Sequence, residues 1–160
     1  LTEIVYSKSL HRSAEQGDAE SQNLLAIFYA LGEGVRLDKK EAVKWFRLAA
    51  DQGLAEAQRN LGACYDLGDG VVQDKKEGLR WYRKAAEQGD DRAQYCLGGC
   101  YASGEGVLQD YEEAFFWCLA SLISGYEDAQ EALDVVSAKL SPKQCEQIQA
   151  RVITWLYEHY

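Results

Sequence analysis

The chain has only two histidines in 160 residues, His11 and His159, near opposite ends. Neither has a neighbouring nucleophile or acid that the sequence justifies, so a Ser/His/Asp or Cys/His site has no foundation here. No apolar run approaches the ~20 residues that span a bilayer, and no apolar signal segment stands at the start. The chain begins at Leu1 rather than Met, which leaves room for a removed leader or a larger preceding region. Bases are scarce. The 17 Lys and Arg against 26 Asp and Glu give a formal charge of -9, which disfavours nucleic acid and anionic membranes as partners. The five cysteines lack the paired short spacings of a zinc module, and their odd count leaves at least one thiol free or paired with another chain. Cys96 and Cys100 are four apart on an expected helix, where backbone geometry works against a disulfide. The thiols point to the cytoplasm, with the periplasm or secretion as the alternative if a leader was removed.

What is present is repetition, on an apolar content of 47% that suffices for a continuous core. Leu25, Leu61 and Leu97 stand 36 residues apart, as do Tyr29, Tyr65 and Tyr101. The same step links Gly32, Gly68 and Gly104, then Gly34, Gly70 and Gly106, then Trp45, Trp81 and Trp117. A fixed step of this size marks a solenoid, in which one supersecondary unit stacks on copies of itself. Whole units run over 19–54, 55–90 and 91–126, with a half-unit or cap at 1–18 and a partial unit with a capping helix at 127–160.

Each unit predicts two helices. Helix A of the first runs near Ala19 to Ala30, with Leu24, Leu25, Ile27, Phe28 and Leu31 at helical spacing. Helix B starts at Asp38-Lys39-Lys40-Glu41, an N-cap acid followed three residues later by Glu, which predicts a capping box. Asp74 to Glu77 and Asp110 to Glu113 repeat it. A first helix is expected from about Ile4 to Glu15, ended by a left-handed Gly17. Helix A returns as Glu127 to Leu140, and Ser141-Pro142 opens a final helix.

The array resembles the Sel1-like repeat, a relative of the tetratricopeptide repeat with a longer connection between its helices. The residues that carry the resemblance are Ala57-Gln58, Leu61-Gly62, Tyr65, Gly68-x-Gly70-Val71, Asp74, Trp81-Tyr82, Ala85-Ala86 and Glu87-Gln88-Gly89, over about residues 14 to 130. It implies an all-α, right-handed solenoid of paired antiparallel helices that works as an adaptor for other proteins. A secreted bacterial branch carries a disulfide in each repeat. Its cysteines would occupy the places of Ala86 and Gln94, or Ala50 and Gln58, so this chain departs from that branch. The resemblance further implies that helix A lines the concave side. Its variable positions beside the fixed Leu-Gly and Tyr are Glu20, Asn23, Glu56, Arg59, Asn60, Asp66, Arg92, Tyr95, Asp128 and Glu131.

Other chemistry is weaker. The Gly-x-Gly triplets suggest a phosphate cradle, but Glu33, Asp69 and Glu105 between the glycines would repel an anion. A calcium loop with Gly70 at its sixth position would begin at Tyr65 and end at Lys76, so both ends fail. The reading is therefore a non-catalytic protein-interaction module that needs no cofactor or metal, a monomer or weak dimer, binding a protein or peptide. Flanking acids predict a partner of basic charge. The alternatives are a bacterial immunity protein that neutralises a secreted toxin and, in a different class, a redox- or metal-responsive protein using Cys64, Cys96 and Cys100.

Overall fold

In the computed structural model, residues 6–159 are described, and among them nine helices and no strand are found. They are α1 (Lys8–Glu15), α2 (Ala19–Leu31), α3 (Lys39–Asp51), α4 (Ala55–Leu67), α5 (Lys75–Glu87), α6 (Asp91–Ser103), α7 (Tyr111–Ile123), α8 (Ala129–Ser137) and α9 (Pro142–His159). The most extensive contacts join α2 with α3, α4 with α5 and α6 with α7. Those between successive pairs, α3 with α4 and α5 with α6, come next. Contacts therefore run mainly from neighbour to neighbour, the defining property of an α/α solenoid, except at the C-terminal end, where α9 reaches past α8 to pack on α7. Leu25, Leu61 and Leu97 are fully buried at equivalent places, and Ala49-Ala50 and Ala85-Ala86 let adjacent helices close up without voids.

Two glycines set the closest approach within the second pair. A Cβ on Gly78 would lie 2.9 Å from the Gly62 carbonyl oxygen, and one on Gly62 would lie 2.8 Å from the Tyr82 ring. The helix-propensity cost of Gly78 is thus exchanged for backbone contact between α4 and α5.

The helix starts behave partly as expected. Asp38, Asp74 and Asp110 each accept from the backbone N–H three residues on, at 3.0, 3.1 and 3.1 Å. The reciprocal half of the capping box is not made. The backbone N–H groups of these aspartates are already used, donating to the carbonyls of Tyr29, Tyr65 and Tyr101. The glutamates are released for other partners: Glu41 for Lys44, Glu77 for Arg80 and Trp81, Glu113 for Arg151. Among the described residues a full reciprocal box forms only at α9, where Ser141 and Gln144 exchange side-chain bonds to each other's backbone N–H.

The ends depart further from the periodic expectation. Ile4 lies outside the described residues, and α1 begins at Lys8 because Ser7 is extended and caps Leu10. The returning helix A is shorter than Glu127 to Leu140. It begins at Ala129 after Ala129 and Gln130 donate to carbonyls only three residues back, and it closes at Ser137 in similar tight turns before Ser141-Pro142. At the C-terminal end α7 is covered by α9, whose Trp155 packs edge-on against Phe116 and Trp117 at 5.8 and 5.4 Å between ring centres.

A glutamine ladder ties the units together. Gln52 donates to Gln22 and Gln88 to Gln58, both at 2.7 Å, while Gln22, Gln58 and Gln94 donate to the carbonyls of Ala14, Ala50 and Ala86. The next rung would come from position 124, which is Ser, and the fully buried Gln94 Oε1 finds no partner among the described residues. Ser124 has the backbone conformation of Gln52 and Gln88 (φ -73° against -81° and -88°). Ser124→Gln is therefore expected to raise stability by about 1 kcal/mol, read as an increase in Tm by circular dichroism.

Candidate functional site

Two of the three acids between the paired glycines, Asp69 and Glu105, are accounted for by stacking. Lys39 at the start of α3 pairs with Asp69 of the next unit at 2.7 Å, and Lys75 at the start of α5 pairs with Glu105 at 2.9 Å. These loops bind the preceding unit, and their acid–base pairs leave no cradle for an anion.

Helices α2, α4 and α6 line a cavity of about 330 Å³. Its apolar floor is Ile27, Ala30, Leu31, Ala63 and the edge of Phe46, and its polar rim is Glu56, Arg59, Asn60 and Arg92. A second cavity of about 620 Å³ lies further along, lined by Tyr95, Tyr126, Glu127, Asp128, Gln130, Glu131 and Asp134. The two are linked by Arg92, whose guanidinium lies 5.9 Å from the centre of the Tyr126 ring. Tyr126 packs on Tyr95 at 5.2 Å between ring centres.

The residues expected on this face have different roles. Arg59 is committed to the scaffold. Its Nε lies 3.1 Å from Asp90, which caps α6 through Ala93, and it also donates to Asn60. With Arg59 and Asp90 side chains only 19% and 13% exposed, this pair holds α4 to the start of α6. Asn60 donates in turn to Asn23, which is 4% exposed and faces the interior. Asp66 lines neither cavity. It pairs with Lys75 at 3.2 Å, because its helix turn faces α5 across Gly78. Glu20 is exposed on the first turn of α2 and lines neither cavity. Glu56 and Arg92 stay on the rim of the first cavity, while Tyr95, Asp128 and Glu131 meet in the second.

Sequence reasoning missed the apolar floor, Tyr126 and Asp134. Tyr126 falls one step of 36 after Asp90 and two after Leu54, at the turn before a helix A, so its position was visible. That its ring would fold onto Tyr95 was not. Asp128 makes no cap hydrogen bond and instead bonds the Tyr126 hydroxyl, the main cause raising that phenol above its usual range.

Four of the five thiols are pushed up by burial. Burial pushes Cys64 up to about 11, Cys100 to about 12 and Cys118 to about 11, from an ordinary value of 9.0, and also raises Cys96. The five cysteines are unpaired with one another, and among the described residues no group of three His, Cys, Asp or Glu could hold a metal. Because the folded chain keeps these thiols neutral while the unfolded chain ionises them, their contribution is complete below about pH 9 and is lost as pH rises through the folded values. The raised Tyr82 and Lys75 act in the same direction. Tm should fall between pH 9 and 11, and Cys100 and Cys118 should resist alkylation at pH 8 until the chain is unfolded. Constant Tm across that range would contradict this account.

No match is found among curated proteins. The family model for the Sel1 repeat matches residues 19–54, 55–90 and 91–122. Among solved structures, the chain is similar to c5321, a protective antigen present in uropathogenic Escherichia coli strains and displaying an SLR fold. The two share 36% identity with a TM-score of 0.85, over 94% of this chain and 32% of that one. A Sel1 repeat protein from Oxalobacter formigenes shares 35% identity with a TM-score of 0.72, over 75% of this chain and 48% of its own. Cysteine rich protein B of Helicobacter pylori, at 22% identity and a TM-score of 0.62 over 76% of this chain and 92% of its own, shares the fold. The chain thus spans about a third of the first of these proteins and about half of the second. Three consecutive matched repeats, on a stack of helix pairs tied by the same loops and glutamines, place this chain in the Sel1 repeat family.

Proposed function

We propose that the chain is a non-catalytic protein-interaction module that holds a segment of another protein along its helix-A face. Sel1 repeat proteins are generally interaction scaffolds, and the finer reading concerns which surface this one uses. The observation that carries it is the pair of cavities joined by Arg92 and Tyr126. Side chains there differ from unit to unit, while the leucines, alanines and glutamines behind them repeat. A uniform scaffold with a varied face is the arrangement in which binding specificity changes without disturbing the stack.

Arg92 is the residue to test. Among the described residues no carboxylate pairs with its guanidinium, so changing it leaves the scaffold intact, whereas Arg59→Glu would set a third acid against Asp90 and Glu56. In a pull-down from lysate identified by mass spectrometry, wild type is expected to capture a partner that folded Arg92→Glu loses. A partner captured equally by both would move the binding site to the helix-B side or the ends of the stack. The raised thiol pKa values weigh against the redox or metal alternative.

A further inference from the structure

The two cavities differ in chemistry, and the difference restricts what can lie across them. The first has an aliphatic floor of Ile27, Ala30, Leu31 and Ala63 inside a polar rim, with Leu31 60% exposed at its edge despite its size. Exposed leucine at the mouth of an apolar cavity is surface that a partner's apolar side chain would cover favourably. The second presents the Tyr95 and Tyr126 rings beneath Glu127, Asp128, Glu131 and Asp134, with no Lys or Arg in its lining. Aromatic faces and carboxylates favour the same ligand, a cation, through the ring quadrupole and direct charge. Among the described residues no Lys or Arg pairs with these carboxylates as Lys39 and Lys75 pair with Asp69 and Glu105: Asp128 and Asp134 take neutral donors, Tyr126 and Gln130. Arg92, on the rim of the first cavity and over the Tyr126 ring, disfavours a cation at that end, so positive charge is favoured further along, toward the four carboxylates.

We propose that the occupant is a partner segment that places an apolar side chain in the α2/α4 cavity and a lysine or arginine in the tyrosine–carboxylate cavity at α6/α8. This rests on the helix-A reading above and goes beyond it by naming the partner's chemistry. Neighbouring helices pack at roughly 8–10 Å, so seams two helices apart are separated by roughly 20 Å. An extended chain advances about 3.3 Å per residue, which sets the two anchors about six residues apart.

The test is selection of a phage-displayed library of random twelve-residue peptides on the full chain, followed by anisotropy titration of the most enriched peptide. Enriched sequences should pair Lys or Arg with a large apolar residue about six positions away. The enriched peptide should bind at least tenfold more weakly to Asp128→Asn/Glu131→Gln, two exposed positions outside the core; Asp128 stands at the N-cap of α8 but its side chain makes no cap hydrogen bond there. Replacing its basic residue with norleucine should cost as much on wild type and little on that variant. Peptides without a basic residue, or unaffected by the double variant yet lost with Arg92→Glu, would overturn this inference and leave the groove reading standing. No enrichment, or peptides indifferent to every groove variant, would overturn both.

Discussion

Gly70→Ala should destabilise the chain by about 3 kcal/mol, although it adds one methyl group in a loop. Gly70 has φ +75°, and a Cβ built there would lie 2.2 Å from the carbonyl oxygen of Lys39 at the start of α3. Two costs combine: a left-handed conformation for a residue with a Cβ, about 1–2 kcal/mol, and an overlap with backbone that cannot swing aside, about 1–3 kcal/mol. Gly53 separates them. Its φ is +94°, but nothing lies within 4 Å of the place a methyl group would take there, so Gly53→Ala carries only the conformational cost. Urea denaturation followed by tryptophan fluorescence should show Gly70→Ala losing at least 1 kcal/mol more than Gly53→Ala. Equal losses would mean that the loop does not rest on the preceding unit as described. A Cβ built on the equivalent glycine of the next unit, Gly106, would lie 2.5 Å from the Lys75 carbonyl oxygen, so the close approach is part of the repeat.

Leu61→Ala should cost about 2–5 kcal/mol, the range for a buried leucine truncated where the surroundings relax only partly. Leu61 has no exposed surface and lies in α4, which packs on α3 in front and α5 behind. Few side chains can move to fill the void, because alanines that are themselves fully buried, Ala26, Ala49 and Ala57, share the same cluster. Leu61→Met keeps the volume and should cost under about 1.5 kcal/mol. In a stack held by neighbour contacts, loss at the central unit weakens both interfaces. The whole unfolding transition should therefore shift to lower urea. A loss below 1 kcal/mol for Leu61→Ala would show that the second unit adds little to the stability of the array.

Most of the scaffold is legible in the sequence because it depends on local pattern. The step linking Leu25, Leu61 and Leu97 locates the core, and Asp38, Asp74 and Asp110 locate three helix starts to the residue. Pattern misleads where one residue type has two partners to choose between. Glu41 has the spacing to complete a capping box, but the donor it would have reached is already held by Tyr29. Gln130 keeps the Ala-Gln pair of earlier units, yet α8 starts two residues late, so it bonds Asp134 instead of a buried carbonyl.

The candidate site is legible as a face and not as a set of partners. The family resemblance implies that Arg59, Arg92, Tyr95, Asp128 and Glu131 share one face, and in the structure they line two cavities. It also groups Asp66 with them, because a sequence does not show that Gly78 brings α5 close enough for Lys75 to take that carboxylate.

The sequence alone determined the repeat length, the helix pairs, the glycine turns and the family, since each is written in residues close together along the chain or recurring at one fixed step. Only the tertiary structure decided which charges remain available to a partner. Arg59 and Arg92 are both arginines on successive A helices, but one is held by Asp90 and the other lies over Tyr126. A side chain's partners come from three helices brought together by packing, at separations of about 30 residues that no local pattern encodes.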